Sequence, residues 1–373
     1  MIVRSSNPQP KIRRETLKLY CTFAYKGWKI QKLYNLRRNP MGIIEEELDR
    51  RRFLKASACG VALAGIAGTV GGFPPVFAQI TNKTNPSEWI AGAIREYTAT
   101  SPRNSLKKND AEKNDAEKIW AAEKAWDEPL VGFASGGDAL FNEYKDKVGT
   151  FHWTPLEIFK IAFPDIQAKP EELTVIVWIL PAREFVRASL RRETKNPAEP
   201  WVRARMYGEL FNEDLRRYTA ELLTKSGYPA VAPVLQKEYK MTQSEKYGFA
   251  SNWSERHAAY AAGLGTFGLC DALITPKGKA MRVGAIVAKM PATPTPRPYN
   301  DHHAYCLHFA KGACGACIAR CAGKAISDKG HDKMACNKQL AVTTQYAKEH
   351  YDIDGYGCGF CQTGTPCEAG IPV

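Results

Sequence analysis

Outside one short stretch near the N-terminus, the chain lacks any apolar run long enough to span a membrane. It lacks the composition of a disordered or fibrous protein too. Hydrophobic residues make up 44% and charged residues 24% of its 373 positions, enough for the cores of two or three ordinary domains or one large one. A strong one-signed charge is missing from most of the chain. The formal net charge is +13, but residues 1–78 hold 14 Lys and Arg against 5 Asp and Glu, which is +9 and leaves +4 for residues 79–373. The basicity belongs to a leader, so no nucleic-acid partner is expected. Cysteine is scarce until late in the sequence. Of 11, Cys21 and Cys59 lie in the leader, Cys270 stands alone, and the other eight fall between positions 306 and 367.

The leader has a plan of its own. Arg50 and Arg51 are followed by Arg52, Phe53, Leu54 and Lys55, then by a weakly apolar Gly- and Ala-rich run that closes on Val76-Phe77-Ala78. This is the layout of a twin-arginine export signal with a small-residue cleavage site, a route that carries proteins already folded. The expected location is the periplasm or the outer face of the cytoplasmic membrane, a setting that allows peripheral membrane association. Met41 stands a normal distance ahead of the arginine pair, so residues 1–40 are read as lying upstream of the true start.

The remainder divides by composition. Residues 79–150 read as a helical N-terminal region, with a polar tandem duplication (KNDAEKNDAEK) at 108–118 and a Gly-containing apolar stretch at 127–141 that packs on the main body. Residues 151–295 read as an α/β core. Thr154-Pro155 is a helix start. The run 173–180 (LTVIVWIL) reads as a strand buried on both faces. Residues 201–225 have helical periodicity, 228–235 read as a strand or extended segment, 282–290 read as a further strand, and the helix at 254–262 is stopped by Gly263-Leu264-Gly265. The alternation argues for an α/β sandwich. A Pro- and Thr-rich linker at 291–300 leads into a Cys-rich module over 296–373.

The gaps between Cys306, Cys314, Cys317, Cys321, Cys336, Cys358, Cys361 and Cys367 are 7, 2, 3, 14, 21, 2 and 5 residues. Cys314-x2-Cys317-x3-Cys321 is the tail of the ferredoxin run C-x2-C-x2-C-x3-C, whose last Cys reaches across to a second cluster. Eight thiolates are the number two 4Fe–4S cubes need. The crossing rule assigns Cys306, Cys314, Cys317 and Cys367 to one cube, and Cys321, Cys336, Cys358 and Cys361 to the other. Ala322 stands where such runs usually carry Pro. Two zinc sites or four disulfides are the competing readings. Zinc pairs usually come as C-x2-C…C-x2-C, which the Cys317-x3-Cys321 step fits poorly, and a chain this long needs no staples. Cys270 is read as a buried apolar thiol.

The stretches AGLGTFG (262–268), LITPKGKAMRVGAIV (273–287), CGACIARCAGKAI (314–326) and GYGCGFCQTGTPCE (355–368) resemble the epoxyqueuosine reductase and reductive dehalogenase superfamily, a similarity running from about residue 153 to the C-terminus. The resemblance implies a nitroreductase-like α/β core that binds a corrinoid (cobalamin), followed by a small two-cluster ferredoxin-like module. Electrons would arrive from a donor protein or a membrane quinol-linked donor, pass through the cubes to cobalt, and reduce a small-molecule substrate. It implies that Gly263, Gly265 and Gly268 let the backbone approach the macrocycle. It also implies an acid near residues 247–251, where this chain has none. Tyr247 is then the candidate catalytic proton donor, with Arg256 or His257 as charge partner. A ferredoxin-like carrier without corrinoid or substrate turnover is the alternative.

Overall fold

The computed structural model describes residues 85–108 and 115–373, with backbone alone for 115 and 116. The leader, its twin-arginine pattern and most of the tandem duplication lie outside the described residues. Helices α1 (Pro86–Thr100) and α2 (Asp115–Ala121) lead into strand β1 (Leu130–Ser135), then α3 (Leu140–Lys147) and α4 (Pro155–Ala162). Next come β2 (Thr174–Pro181), α5 (Glu184–Arg191), the long α6 (Glu199–Lys225), β3 (Ala230–Val231), and a hairpin of β4 (Met241–Ser244) and β5 (Gly248–Ser251). Helix α7 (Glu255–Ala261) precedes a second short pair, β6 (Thr266–Phe267) and β7 (Leu273–Ile274), and then β8 (Met281–Ala288). The Cys-rich tail holds α8 (Leu307–Lys311), α9 (Ala316–Arg320), β9 (Ile326–Ser327), β10 (Gly330–His331) and α10 (Lys333–Tyr351).

The local signals explain these boundaries. Thr154 caps α4 through its Oγ1, which accepts from Glu157 N at 3.3 Å, while Glu157 Oε2 takes Thr154 N–H at 2.7 Å. That reciprocal box, with Pro155 at the first helical position, is the expected start. The 228–235 strand shrinks to two residues because Pro229 and Pro233 flank it and neither can donate to a ladder. The stretch 127–141 yields a full edge strand, β1.

The main sheet has the order β1-β2-β8-β3, and every pairing is antiparallel. All eight residues of β2 are buried. A continuous apolar run usually marks a parallel strand; here it arises because helices cover both faces of an antiparallel sheet. Side chains of β2 alternate between two cores. Ile176, Trp178 and Leu180 pack with Ile90, Ile94, Trp201, Phe211 and Leu215 from α1 and α6. Val175, Val177 and Ile179 pack with Ile158, Phe159, Ala258 and Ala259 from α4 and α7. Trp178 stands opposite Gly284 on β8, where a Cβ would lie 2.3 Å from the indole, so the glycine makes room for the ring. The indole Nε1 donates to Asn212 Oδ1 at 2.9 Å, tying the strand to α6.

A buried ion cluster ties α6, α7 and β8 together. Arg216, with its side chain 3% exposed, is bidentate to Glu255 at 2.7 and 2.8 Å, bonds Glu209 at 2.9 Å, and donates to Val283 O at 3.0 Å. Glu255 Oε1 also takes Ala285 N–H at 3.0 Å. Beside the α7 face lies an aromatic pocket of Phe141, Tyr144, His152, Trp253 and His257. Burial pulls the His152 imidazole down to about 4 and that of His257 to about 3, with the neighbouring His152 adding to the second. No helix among the described residues is long and apolar enough to cross a membrane.

Two outcomes follow. Replacing Arg216 with Met leaves Glu255 without its cation, while Glu209 keeps Arg282 at 3.0 Å, and should cost about 3–5 kcal/mol, read as a lower urea midpoint with an unchanged slope. His152 binds a proton more weakly folded than unfolded, so stability present above the unfolded value of about 6.5 is lost as pH falls through about 4. His152 accounts for about 3 kcal/mol of that loss, and His152→Phe should flatten this acid limb in unfolding measured from pH 7 to pH 4.

Candidate functional site

The Pro-rich linker is a strap. Thr295 N–H bonds Phe133 O at 2.9 Å, and Phe133 N–H returns to Thr295 Oγ1 at 2.9 Å, docking the linker on β1. Tyr299 OH donates to Tyr260 O at 2.8 Å and accepts from Gly265 N at 3.3 Å. The strap delivers Cys306 to the start of α8. Gly312, with φ +63°, ends that helix, and Gly315 opens α9, so Cys314 and Cys317 fall on either side of a helix start.

The C-terminus arrives from the other direction. Lys279 N–H bonds Cys367 O at 3.0 Å and Ala280 N–H bonds Glu368 O at 3.3 Å. Gly278, at φ +81°, is the close approach that permits this, because a Cβ there would stand 2.1 Å from Glu368 O. Together these segments enclose a cavity lined by Cys306, Cys314, Cys317, Cys367, Lys279 and Gly268, among others. The four thiols are the set that the ferredoxin spacing groups together. Cys306, Cys317 and Cys367 share a small core with Leu269, Cys270, Ala272 and Ile274, so tail and core interpenetrate here.

Lys279 is 2% exposed. Its Nζ donates to Cys270 Sγ at 3.7 Å, and no carboxylate among the described residues pairs with it. Burial pulls its pKa down, but the sulfurs of Cys270, Cys367, Cys317 and Cys361 push harder, leaving it above the ordinary lysine value. Cys270 takes hydrogen bonds from the thiols of Cys317 and Cys361, which hold it well below the usual thiol range. It thus stands between the two expected ligand sets.

The second set is less enclosed. Cys321 Sγ accepts Ala325 N–H at 3.2 Å. Cys336 lies in the first turn of α10, where Asp332 caps the helix by accepting from Met334 N and Ala335 N. His331 contacts Cys336 and bonds Asp271 Oδ2 at 3.0 Å; although burial opposes it, these two partners raise the imidazole to about 10. Cys358 is pushed up to about 11, by burial first, with the Cys336 and Cys321 sulfurs adding and the Arg205 guanidinium opposing. Arg205 and Arg282 both reach the Tyr356 hydroxyl, at 3.4 and 3.3 Å.

All nine described cysteines are free thiols, so none of them is paired in a disulfide. Among the described residues no group of three or more His, Cys, Asp or Glu side chains is gathered to hold a metal ion. A cube spreads its four thiolates over four irons, and a donor set of four sulfurs around one cavity with a buried cation suits an anionic group of that kind.

The residues expected to face a corrinoid do not fit one. Gly263, at φ +74°, lies under the linker, where a Cβ would be 2.4 Å from Pro296 O; at Gly265 a Cβ would be 2.2 Å from Ile274 O. The approach these glycines allow is filled by the chain's own backbone. Gly268 is less crowded, a Cβ there lying 3.3 Å from Ile274 Cδ1, and it lines the thiol cavity instead. Tyr247 sits on the β4–β5 turn, 44% exposed, with the ammonium groups of Lys246 and Lys333 at 5.3 and 5.7 Å from its ring. Arg256 donates instead to Asp271 O at 2.6 Å, and the His257 ring bonds Ser254 Oγ at 2.7 Å. Lys279, His331 and Arg205 were not singled out in the sequence; the only signal for Lys279 was its place in the LITPKGKAMRVGAIV stretch.

No protein-family model matches the chain, and no curated protein matches it. Solved structures similar to it include epoxyqueuosine reductase from Bacillus subtilis, 17% identical over 67% of this chain and 63% of that one, with a TM-score of 0.35. Another is the catabolic reductive dehalogenase NpRdhA in complex with 3-bromo-4-hydroxybenzoic acid, 13% identical over 77% and 37%, TM-score 0.42. A third is an epoxyqueuosine reductase with a tRNA stem loop, 18% identical over 67% and 63%, TM-score 0.35. The chain spans less than two thirds of the length of each of these three. The third corrects the expectation that nucleic acid is excluded, since a structure similar to this chain holds RNA.

If Gly263 serves packing alone, Gly263→Ala should lower the thermal midpoint of protein made in cells without corrinoid. The left-handed backbone alone costs about 1–2 kcal/mol, and the contact with Pro296 adds to it. An unchanged midpoint would return this glycine to a ligand role.

Proposed function

We propose that this chain is an iron–sulfur oxidoreductase whose own chemistry is one-electron transfer. Cys306, Cys314, Cys317 and Cys367 would hold one 4Fe–4S cluster; Cys321, Cys336, Cys358 and Cys361 would hold the other. The observation that carries the reading is the buried ammonium of Lys279 in a cavity lined by four free thiols and no paired carboxylate. A buried ammonium calls for compensating negative charge; the Cys270 sulfur, held below the usual thiol range, provides part of it, and an anionic thiolate cluster would add more in the same cavity.

Bound clusters would supply storage and relay of single electrons at potentials set by charge, hydrogen bonding and solvent exposure. The chain's part is enclosure and fixed electrostatics. Cys306, Cys317 and Cys367 are each 8% exposed, which keeps water from most of the first set. Glu368, held by Arg191 at 2.6 Å and by Gly364 N–H at 2.6 Å, keeps the last cysteine in place. His331, steadied by Asp271, keeps a donor on Cys336.

The electron-carrier reading without corrinoid is favoured over the corrinoid-dependent reductase by the glycine contacts, since Gly263 and Gly265 are filled by backbone. An electron donor and a small organic or protein acceptor complete the proposal. The Arg50-Arg51 pattern supports export after the clusters are installed.

The test is iron, sulfide, zinc and cobalt analysis with an absorption spectrum of anaerobically purified protein. About eight irons per chain, with a broad visible band that bleaches on reduction, are expected. Stoichiometric zinc, or a colourless protein, would sink the reading; cobalt with corrinoid bands would replace the carrier by a corrinoid reductase. Cys367→Ser should lower the iron to about four, whereas Cys270→Ser should keep the full complement.

A further inference from the structure

Lys279 is fixed at both ends. Thr275 Oγ1 donates to Gly278 O at 2.7 Å and closes the turn before it, and its own N–H is bonded to Cys367 O. Its side chain then runs into the cavity rather than to solvent. The groups that act on the ammonium are sulfurs of both cysteine sets, Cys317 and Cys367 from one and Cys361 from the other, together with Cys270. A lysine could have reached water with little rearrangement on an ordinary surface; this one cannot.

We infer that Lys279 is the fixed counter-charge of the cluster held by Cys306, Cys314, Cys317 and Cys367, and that it raises the reduction potential of that cluster. The inference rests on the iron–sulfur reading and deepens it. A four-thiolate cube is anionic, and reduction adds one electron without making or breaking a bond. In the test that electron comes from dithionite; in the cell it comes from a one-electron donor. A positive charge in a low-dielectric cavity favours the more negative of the two states, so the reduced cluster gains most from it.

Lys279→Met removes the charge at similar volume, and Lys279→Arg keeps it. Iron analysis and an electron paramagnetic resonance redox titration with dithionite read the result. With about eight irons retained, the Met variant should show one midpoint potential moved to a more negative value and the other moved less. The Arg variant should stay near the parent. Loss of about half the iron in Lys279→Met but not in Lys279→Arg supports the counter-charge equally. Full iron with both potentials unchanged overturns the inference, and so does equal iron loss in both variants, which would make the side chain a matter of shape. A parent protein without iron overturns the cluster reading itself, and that failure is seen before any substitution is made.

Discussion

The arrangement of the thiol cavity depends on a single buried carboxylate. Glu368 is 5% exposed and bonds Arg191 through two contacts of 2.6 and 3.2 Å, with Arg187 at 3.6 Å and the Gly364 amide at 2.6 Å. A carboxylate this enclosed is tolerable only with cations and donors around it. It therefore fixes the C-terminal segment against α5 and against the turn ahead of β8. Cys367 is its immediate neighbour, and the backbone of both residues is pinned by the amides of Lys279 and Ala280. One ion pair thus brings a cysteine from the end of the chain to thiols some fifty residues earlier.

The sheet supplies the platform for this contact. β8 lies between β2 and β3 with both neighbours antiparallel, and its start, Met281, follows directly on Lys279 and Ala280. Arg216 and Glu255 clamp its centre from α6 and α7. The strand is thus held at its middle by a salt-bridge network and at its entry by the C-terminal tail. The position of Lys279 is set by the register of the core sheet, not by the Cys-rich segment alone.

Much of this was legible in the sequence, for physical reasons that differ by element. The β2 run declared itself through β-branched apolar residues, the α4 start through its capping box, and the long α6 through its periodicity. Strand direction was not legible, because burial on both faces looks the same in parallel and antiparallel sheets. The β4–β5 hairpin escaped because its residues are half-exposed or exposed apart from Ser244 and carry little apolar alternation. In the site, the cysteine spacing grouped the four thiols that line the cavity. The glycines were open to two readings, since a glycine needed by a ligand and one needed by a crossing chain segment have the same letter. Only the position of Pro296 over Gly263 separates them.

Charge extends the same logic to the second cysteine set. Arg205, Arg216 and Arg282 share a buried region with Glu209 and Glu255, so cations outnumber carboxylates there. The Tyr356 hydroxyl meets part of the excess; Arg282 first and then Arg205 pull it down to about 7. Tyr356 is two residues from Cys358, and Arg205 acts on that thiol directly. A fold that buries charge without a function to serve would be expected to balance it, because each unpaired ion costs stability. Here the imbalance beside the second thiol set is positive, and that sign is the one an anionic group would offset.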